Sequence, residues 1–368
     1  MIFNNLTGQK EYFLSLSPLT NSRIVLDLSK YTKQLSKLFS SSGNILVICH
    51  VNPDGDAIGS QLALYHYLEA KGRKVTMISP NYLQEFLKWM EGADLINIYI
   101  RNRKRCRNLI SEADLIIMVD FNQTNRLGEA EKAVMASSAY KVLIDHHLDP
   151  QDFADLVITD PARCSTAELV NDLISLLNGG QFLTRGYTEA VYTGIITDTG
   201  NFEHGSYSGD TFRTCALLLD YGIDREKIFN VVYNNFSEQR MRLMGYALNS
   251  RMVVVPDYGS AYIVLTKDDL EQYKHVKGDT EGFVNLPLSI RGIRFSTLFV
   301  EKDDHIKLSF RSQGDFPVNE FASLYFSGGG HLNASGGEYY DTLENSVSYF
   351  LGVLKEFAER FKKDDQGS

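Results

Sequence analysis

Six side chains suited to divalent metals recur between positions 50 and 198 of the 368-residue chain, mostly where an apolar run ends: His50, Asp54, Asp56, Asp120, His146 and Asp198. His50 ends NILVICH, Asp120 ends ADLIIMVD, and His146 closes KVLIDH. Asp54 and Asp56 bracket a glycine in HVNPDGDAIGS, and Asp198 follows the apolar part of YTGIITDTGNF. Six nitrogen and oxygen donors exceed what one catalytic ion needs. They suit two divalent cations about 3.5–4 Å apart, joined by a carboxylate and a hydroxide, an arrangement used for in-line displacement at phosphorus. Imidazole and carboxylate without thiolate point to Mn2+, with Mg2+, Co2+ or Zn2+ as substitutes. Taken alone, the DGD pair reads more simply as a turn whose acid caps the following helix.

Residues this far apart meet only if the fold gathers them. Apolar runs at 44–50, 75–79, 113–120 and 141–146 read as buried strands, and 57–72, 165–178 and 186–197 as helices, with YTGIITDTGNF open to either reading. The βαβ order predicts an α/β domain with a parallel sheet, whose carboxyl edge collects the strand-end side chains. Residues 221–250 are helical and charged and read as a linker between residues 1–220, which carry the candidate ligands, and 251–368, a smaller α+β domain. That second domain expects antiparallel hairpins from MVVVPDYGSAYIVLT and IRFSTLFVEKDDHIKLSFRS, the latter turning at EKDDHIK, then a helix in TLENSVSYFLGVLKEFAERF. Trp89, in FLKWM, reads as a core residue on a helix, and the final KKDDQGS as a frayed tail.

Composition narrows the class. With 43% hydrophobic and 23% charged residues the chain reads as soluble and globular. The start, MIFNNLTGQKEYF, lacks the basic-then-apolar order of a signal peptide, and no apolar run is long enough to span a bilayer, so a cytoplasmic protein with no membrane partner is expected. The four cysteines form no CxxC pair, which argues against a disulfide framework or structural zinc. A net charge of -9 argues against coating long duplex nucleic acid. It leaves room for a small anionic substrate held through metal ions.

HVNPDGDAIGS, VDFNQTNRLG, IDHH and TDTGNF resemble, in order, the four motifs of the DHH phosphoesterase superfamily, most closely its bifunctional oligoribonuclease and pAp (3′-phosphoadenosine 5′-phosphate) phosphatase branch. SFRS (309–312) and GGGHLNASGG (328–337) resemble the substrate-binding motifs of the DHH-associated C-terminal domain, so the likeness covers almost the whole chain. The resemblance implies that His50 and Asp54 hold one ion, Asp56, His146 and Asp198 the other, and that Asp120 bridges them. It turns His147 toward the scissile phosphate as a donor or acid. Asp145, beside a ligand imidazole, is expected to orient that imidazole from behind. Arg311 and Ser312, with Gly328, Gly329, Gly330 and His331, are implied to grip the substrate's far end: Arg311 as a fork of donors, the glycines as an anion nest. Ser327 and Ser335 stand where the family pattern has Gly and Ala.

The implied function is metal-dependent hydrolysis of short single-stranded RNA or pAp to mononucleotides, with domain closure limiting substrate length, and it is compatible with a homodimer. Alternatives with the same chemistry are a cyclic or linear dinucleotide phosphodiesterase and an exopolyphosphatase-like hydrolase. A nucleotide-binding sensor is the alternative from another class; its sign would be a lost ligand, and none is lost. Asn52 reads as a phosphate contact or the closure of its own turn, His204 as a substrate contact or a surface loop residue, and Arg291 and Arg294 as cleft-facing residues or, more simply, solvated strand arginines.

Overall fold

The computed structural model describes residues 27–177, 179–203 and 205–364. The chain divides into two units, one ending at Val232 and the other starting at Tyr233. In the first, α1 (Ser29–Ser41) leads into β1 (Ile45–Ile48), α2 (Gly55–Ala70), β2 (Val75–Ser79), β3 (Asn97–Ile98), α3 (Arg103–Ser111) and β4 (Leu115–Val119). After these come α4 (Glu131–Ala136), β5 (Tyr140–Asp145), β6 (Leu156–Thr159), α5 (Thr166–Leu176), α6 (Arg185–Asp198), α7 (Gly209–Asp220) and α8 (Arg225–Tyr233), whose last residue lies past the division.

The six strands are parallel in the order β3-β2-β1-β4-β5-β6. ILVI and LIIMV are buried throughout, as expected where helices cover both faces of a parallel sheet. β1 lies between β2 and β4, so the connections leave it in opposite directions. The crevice between parting loops at the carboxyl ends of β1 and β4 is where such sheets take their ligands. His50 and Asp120 follow those two strands directly.

Helix α2 carries GDAIGSQLALYHYLEA, buried along nearly its whole length rather than on one stripe. It packs against α6 closely enough that a Cβ on Gly59 would stand 2.5 Å from the Ala190 carbonyl oxygen, and one on Gly55 would collide with Thr197. The stretch YTGIITD is therefore helical, part of α6. FLKWM instead forms a short 3-10 turn and the bend after it. Trp89 is half-buried, with the Lys227 ammonium 5.7 Å from its ring, rather than a core residue on a helix. The FLKWM run is too short to sustain a helix, and its apolar residues are satisfied by one turn.

The second unit contains α9 (Glu238–Tyr246), β7 (Met252–Val255), β8 (Ser260–Leu265), α10 (Lys267–Gln272), β9 (Phe295–Glu301) and β10 (Ile306–Ser312), then α11 (Val318–Tyr325), β11 (Gly329–His331), β12 (Ala334–Tyr339) and α12 (Leu343–Asp364). Its sheet runs β11-β12-β10-β9-β8-β7. The hairpins β7–β8 and β9–β10 are antiparallel, whereas β8 and β9 pair in parallel through the α10 crossover. Phe295, Phe299, Phe310, Phe321, Phe326 and Phe350 form its core. Because α12 reaches Asp364, the first three residues of the polar tail are helical; 365–368 lie outside the described residues. Among the described residues no helix is long and apolar enough to cross a membrane.

The α2–α6 contact makes Gly59 a packing requirement. Gly59→Ala should destabilise the protein by about 1–3 kcal/mol through overpacking, whereas Gly245→Ala, with open space around its position in α9, should leave stability unchanged or raise it by about 0.5–1 kcal/mol. Thermal denaturation of the two variants beside the parent checks both, and equal melting temperatures would remove the contact from the account.

Candidate functional site

Asp120 follows β4 with φ at 67°, left-handed for a residue with a side chain, and its N–H donates to the Ile144 carbonyl (3.1 Å). This backbone turns the carboxylate into the crevice at a cost of about 1–2 kcal/mol. His50 is 3% exposed. Its Nδ1 lies 2.8 Å from the Val51 carbonyl and 3.2 Å from the Arg126 guanidinium, and its Nε2 faces Asp120 (3.4 Å) and Asp54 (3.8 Å). Asp54 fulfils both readings of the DGD pair. One oxygen caps α2, accepting from the N–H groups of Asp56 (3.1 Å) and Ala57 (3.0 Å), while the other faces His50.

Asp56 is buried and plugs the start of α5. Its two oxygens accept the N–H groups of Thr166 (2.6 Å) and Ala167 (2.8 Å), and the Thr166 hydroxyl donates to Asp120 (3.0 Å). The same helix end is closed by Ser165, which accepts from Glu168 N–H (3.0 Å), while the Glu168 carboxylate accepts from Cys164 N–H (2.9 Å). Sequence reasoning missed these supports. The signal was present in Ser165-x-x-Glu168, a capping-box spacing that places an anion-attracting helix end here.

His146 turns Nε2 toward Asp198 (3.4 Å), Asp120 (3.8 Å) and Asp56 (4.0 Å), with Nδ1 3.3 Å from the Arg163 carbonyl. His147 points Nδ1 at Asp145 (2.7 Å) and lies 3.8 Å from Asp120. The fully buried Asp145 therefore orients His147, not the neighbouring His146 as expected. β5 ends at Asp145, and the bend that follows brings the His147 ring back to this carboxylate while His146 faces Asp198.

Donor atoms of His50, Asp54 and Asp120 lie within 4.8 Å of one another, as do those of Asp56, His146 and Asp198, and those of Asp120, His146 and His147. All six expected ligands thus converge, with Asp120 common to two groups. Burial pushes the Asp198 carboxyl up to about 7, with Asp120 and Asp54 adding to the shift and His146 opposing it. Burial likewise raises Asp56, reinforced by Asp120, Asp198 and Asp54 against the Ala167 amide. For Asp120 burial acts in the same direction but is outweighed by the His50 hydrogen bond and the three imidazoles, which hold it well below the usual range. His147 rises to about 9 because Asp145 and Asp120 overcome its burial. Buried acids crowded enough to hold protons, with only oxygen and nitrogen donors among them, fit hard or borderline divalent cations.

In the second unit Arg311 lies on β10, where burial lowers its pKa against the charge of Glu281, and it donates to the Phe310 carbonyl (2.9 Å). The Ser312 hydroxyl is engaged internally, donating to the Phe316 carbonyl (2.6 Å) and accepting from Asn333 (2.8 Å). Gly329, Gly330 and His331 form edge strand β11, paired with β12, rather than an isolated nest. A Cβ on Gly330 would stand 2.5 Å from the Ala334 carbonyl, and one on Gly328 would collide with Gly336. Arg291 and Arg294 are exposed. Asn52 N–H donates to the Asn81 side chain (2.7 Å), whose amide donates back (2.7 Å), so the pair ties two loops together. His204 lies outside the described residues.

Imidazoles and carboxylates gathered at the parting strands of a parallel sheet define the class: a metal-dependent phosphoesterase. The chain belongs to the DHH family, whose N-terminal domain matches residues 44–195, with a DHHA1 domain matching 261–360. It is 30% identical to the bifunctional oligoribonuclease and PAP phosphatase NrnA of Thermus thermophilus, over 80% of this chain and 83% of that one. The Bacillus subtilis protein of the same description is 28% identical over 83% of this chain and 93% of its own. Among solved structures, an exopolyphosphatase-related protein from Bacteroides fragilis is 44% identical and superposes with a TM-score of 0.88, covering 90% of this chain and 98% of that one.

Thr166 ties Asp120 to the helix end that holds Asp56. Thr166→Val, which keeps the shape and removes the donor, should weaken Mn2+ binding by about tenfold or more, and Thr166→Ser should restore most of it. Calorimetric titration decides the matter: parental affinity in the valine variant would show that the hydroxyl does not orient the carboxylate.

Proposed function

We propose that the chain hydrolyses phosphoester bonds of short single-stranded ribo-oligonucleotides and of pAp, releasing mononucleotides, with two divalent cations, Mn2+ preferred. The observation that carries this reading is the sharing of Asp120 between donor groups built on His50 and Asp54 and on His146. His50, Asp54 and Asp120 would hold one ion, and Asp56, Asp120, His146 and Asp198 the other. Bound ions lower the pKa of a water so that hydroxide is available near neutral pH, and they offset charge on the phosphoryl oxygens. His147, fixed through Nδ1 by Asp145, offers its other ring nitrogen to a phosphate oxygen or leaving group. Thr166 and the start of α5 hold the carboxylates at fixed spacing, so little reorganisation accompanies the reaction.

Catalysis is assigned to residues 1–220, with 221–250 as a linker and 251–368 binding the substrate's far end. There Arg311 and the glycine strand Gly328–Gly330 with His331 supply donors to a phosphate, with Ser312 fixing the turn beside Arg311. The protein is proposed to act in the cytoplasm, free of membrane, as a monomer or homodimer. Similarity to two proteins described as oligoribonuclease and PAP phosphatase supports the substrate class. Similarity to an exopolyphosphatase-related protein favours polyphosphate as the second reading.

The purified protein with Mn2+ should cleave pAp and di- to pentaribonucleotides with higher kcat/KM than polyphosphate or cyclic dinucleotides; hydrolysis of polyphosphate alone would overturn the nucleotide reading. Asp120→Ala and His146→Ala should each lower kcat by about a thousandfold or more while circular dichroism stays that of the parent. Parental rates in Asp120→Ala would defeat the shared-carboxylate assignment.

A further inference from the structure

Four residues beyond Asp198 the chain assembles aromatic rings that the metal centre does not use. Phe202 and Phe212 lie with centroids 4.8 Å apart and tilted by 31°, and Tyr207 stands edge-on to both, at 6.0 and 5.8 Å. This is not a core cluster: Phe212 is 49% exposed, Tyr207 36%, and Phe202 half-buried.

The loop carrying them is fastened to the end of α6. The Thr199 hydroxyl donates to the Ile195 carbonyl (2.7 Å) and accepts from Phe202 N–H (3.1 Å), and Glu203 N–H donates to the Thr199 carbonyl (3.0 Å). A side chain at position 205 would stand 3.9 Å from the Asp198 main-chain carbonyl and from Thr199, so the loop packs against the backbone at the end of α6. Asn201 and Phe202 both take left-handed backbone angles, φ 58° and 69°. Gly200, at φ 55°, already serves the end of the helix; a bulky ring two residues on in the same conformation is strained while only half-buried.

Exposed flat faces on the segment that leaves the α6 end carrying Asp198 have a natural ligand. Every nucleobase has a π face, and stacking on aromatic side chains binds bases with little regard to sequence. Near the rings Arg213 is paired with Asp210 on its own helix, and the exposed Glu203 carboxylate next to Phe202 repels a phosphate. The patch therefore suits an uncharged plane rather than a second phosphate. We infer that Phe212, backed by Phe202 and flanked by Tyr207, is a stacking platform for the base of the nucleotide whose phosphate is cleaved. This inference rests on the phosphoesterase reading above and adds a base subsite to it.

The test compares pAp with an analogue in which hydrogen replaces the adenine, using the full chain with Mn2+. The parent should prefer pAp, and Phe212→Ala should cut the ratio of kcat/KM values, pAp over analogue, by about tenfold. Phe212→Trp should retain the ratio, and Phe202→Leu should reduce it with Mn2+ affinity and melting temperature held near parental values. Equal losses on both compounds, or none, would overturn the platform. So would an unchanged ratio accompanied by a shift in oligomeric state, which would assign the rings to a protein contact. Hydrolysis of neither compound by the parent would sink the phosphoesterase reading itself, a result distinct from the others.

Discussion

Like-charge crowding among buried carboxylates governs this molecule. Asp56 and Asp120 have almost no exposed surface, and Asp198 lies with Asp56 in one donor group spanning 4.8 Å. Two full negative charges at that distance repel by about 3–4 kcal/mol at the effective dielectric typical of proteins. The fold answers with partial positive charge from several directions: two amides and a hydroxyl from the start of α5, and imidazoles from the ends of β1 and β5. Burial first, and neighbouring carboxylates second, still hold the Asp56 and Asp198 carboxyls above the usual range. Divalent cations supply what the protein's own groups do not.

Packing of the first unit follows from that need. For Asp56 to reach the start of α5 while α6 delivers Asp198, helices α2, α5 and α6 must approach to backbone contact, and glycines lie where they do. A Cβ on Gly194 would stand 2.5 Å from the Ala167 side chain and 3.0 Å from an Asp56 oxygen. The close contact and the site are thus one feature. The left-handed turn at Asp120 belongs with it, because an ordinary extended residue would point the carboxylate along the sheet rather than into the crevice.

Much of this was legible in the amino-acid order. Strands such as ILVI and LIIMV announce themselves by apolar runs, and the rule that parallel strands present their carboxyl ends along one edge brought His50, Asp120 and His146 together before any coordinate. What escaped was polar support between elements. Thr166 carries no local sign that its hydroxyl reaches Asp120, 46 positions away. Asp145 stands beside His146 in sequence, and nothing in IDHH announces the bend that brings His147 back to it. Short elements such as β3 and α10 left no periodic signal, and the parallel β8–β9 pairing is a long-range choice that hairpin patterns do not encode.

The two departures from the family's glycine pattern acquire a physical meaning in the second unit. Ser327 keeps φ at 47°, the left-handed conformation that a glycine takes freely, so the backbone path survives the replacement with a modest strain. Ser335 pairs with Gly330 across β11 and β12, and a Cβ on Gly330 would lie 2.9 Å from the Ser335 hydroxyl. The Ala334 carbonyl (2.5 Å) and the Ser335 Cα (2.8 Å) stand nearer still, so position 330 requires glycine whichever side chain position 335 carries. Backbone shape, not side-chain identity, is what this edge strand preserves.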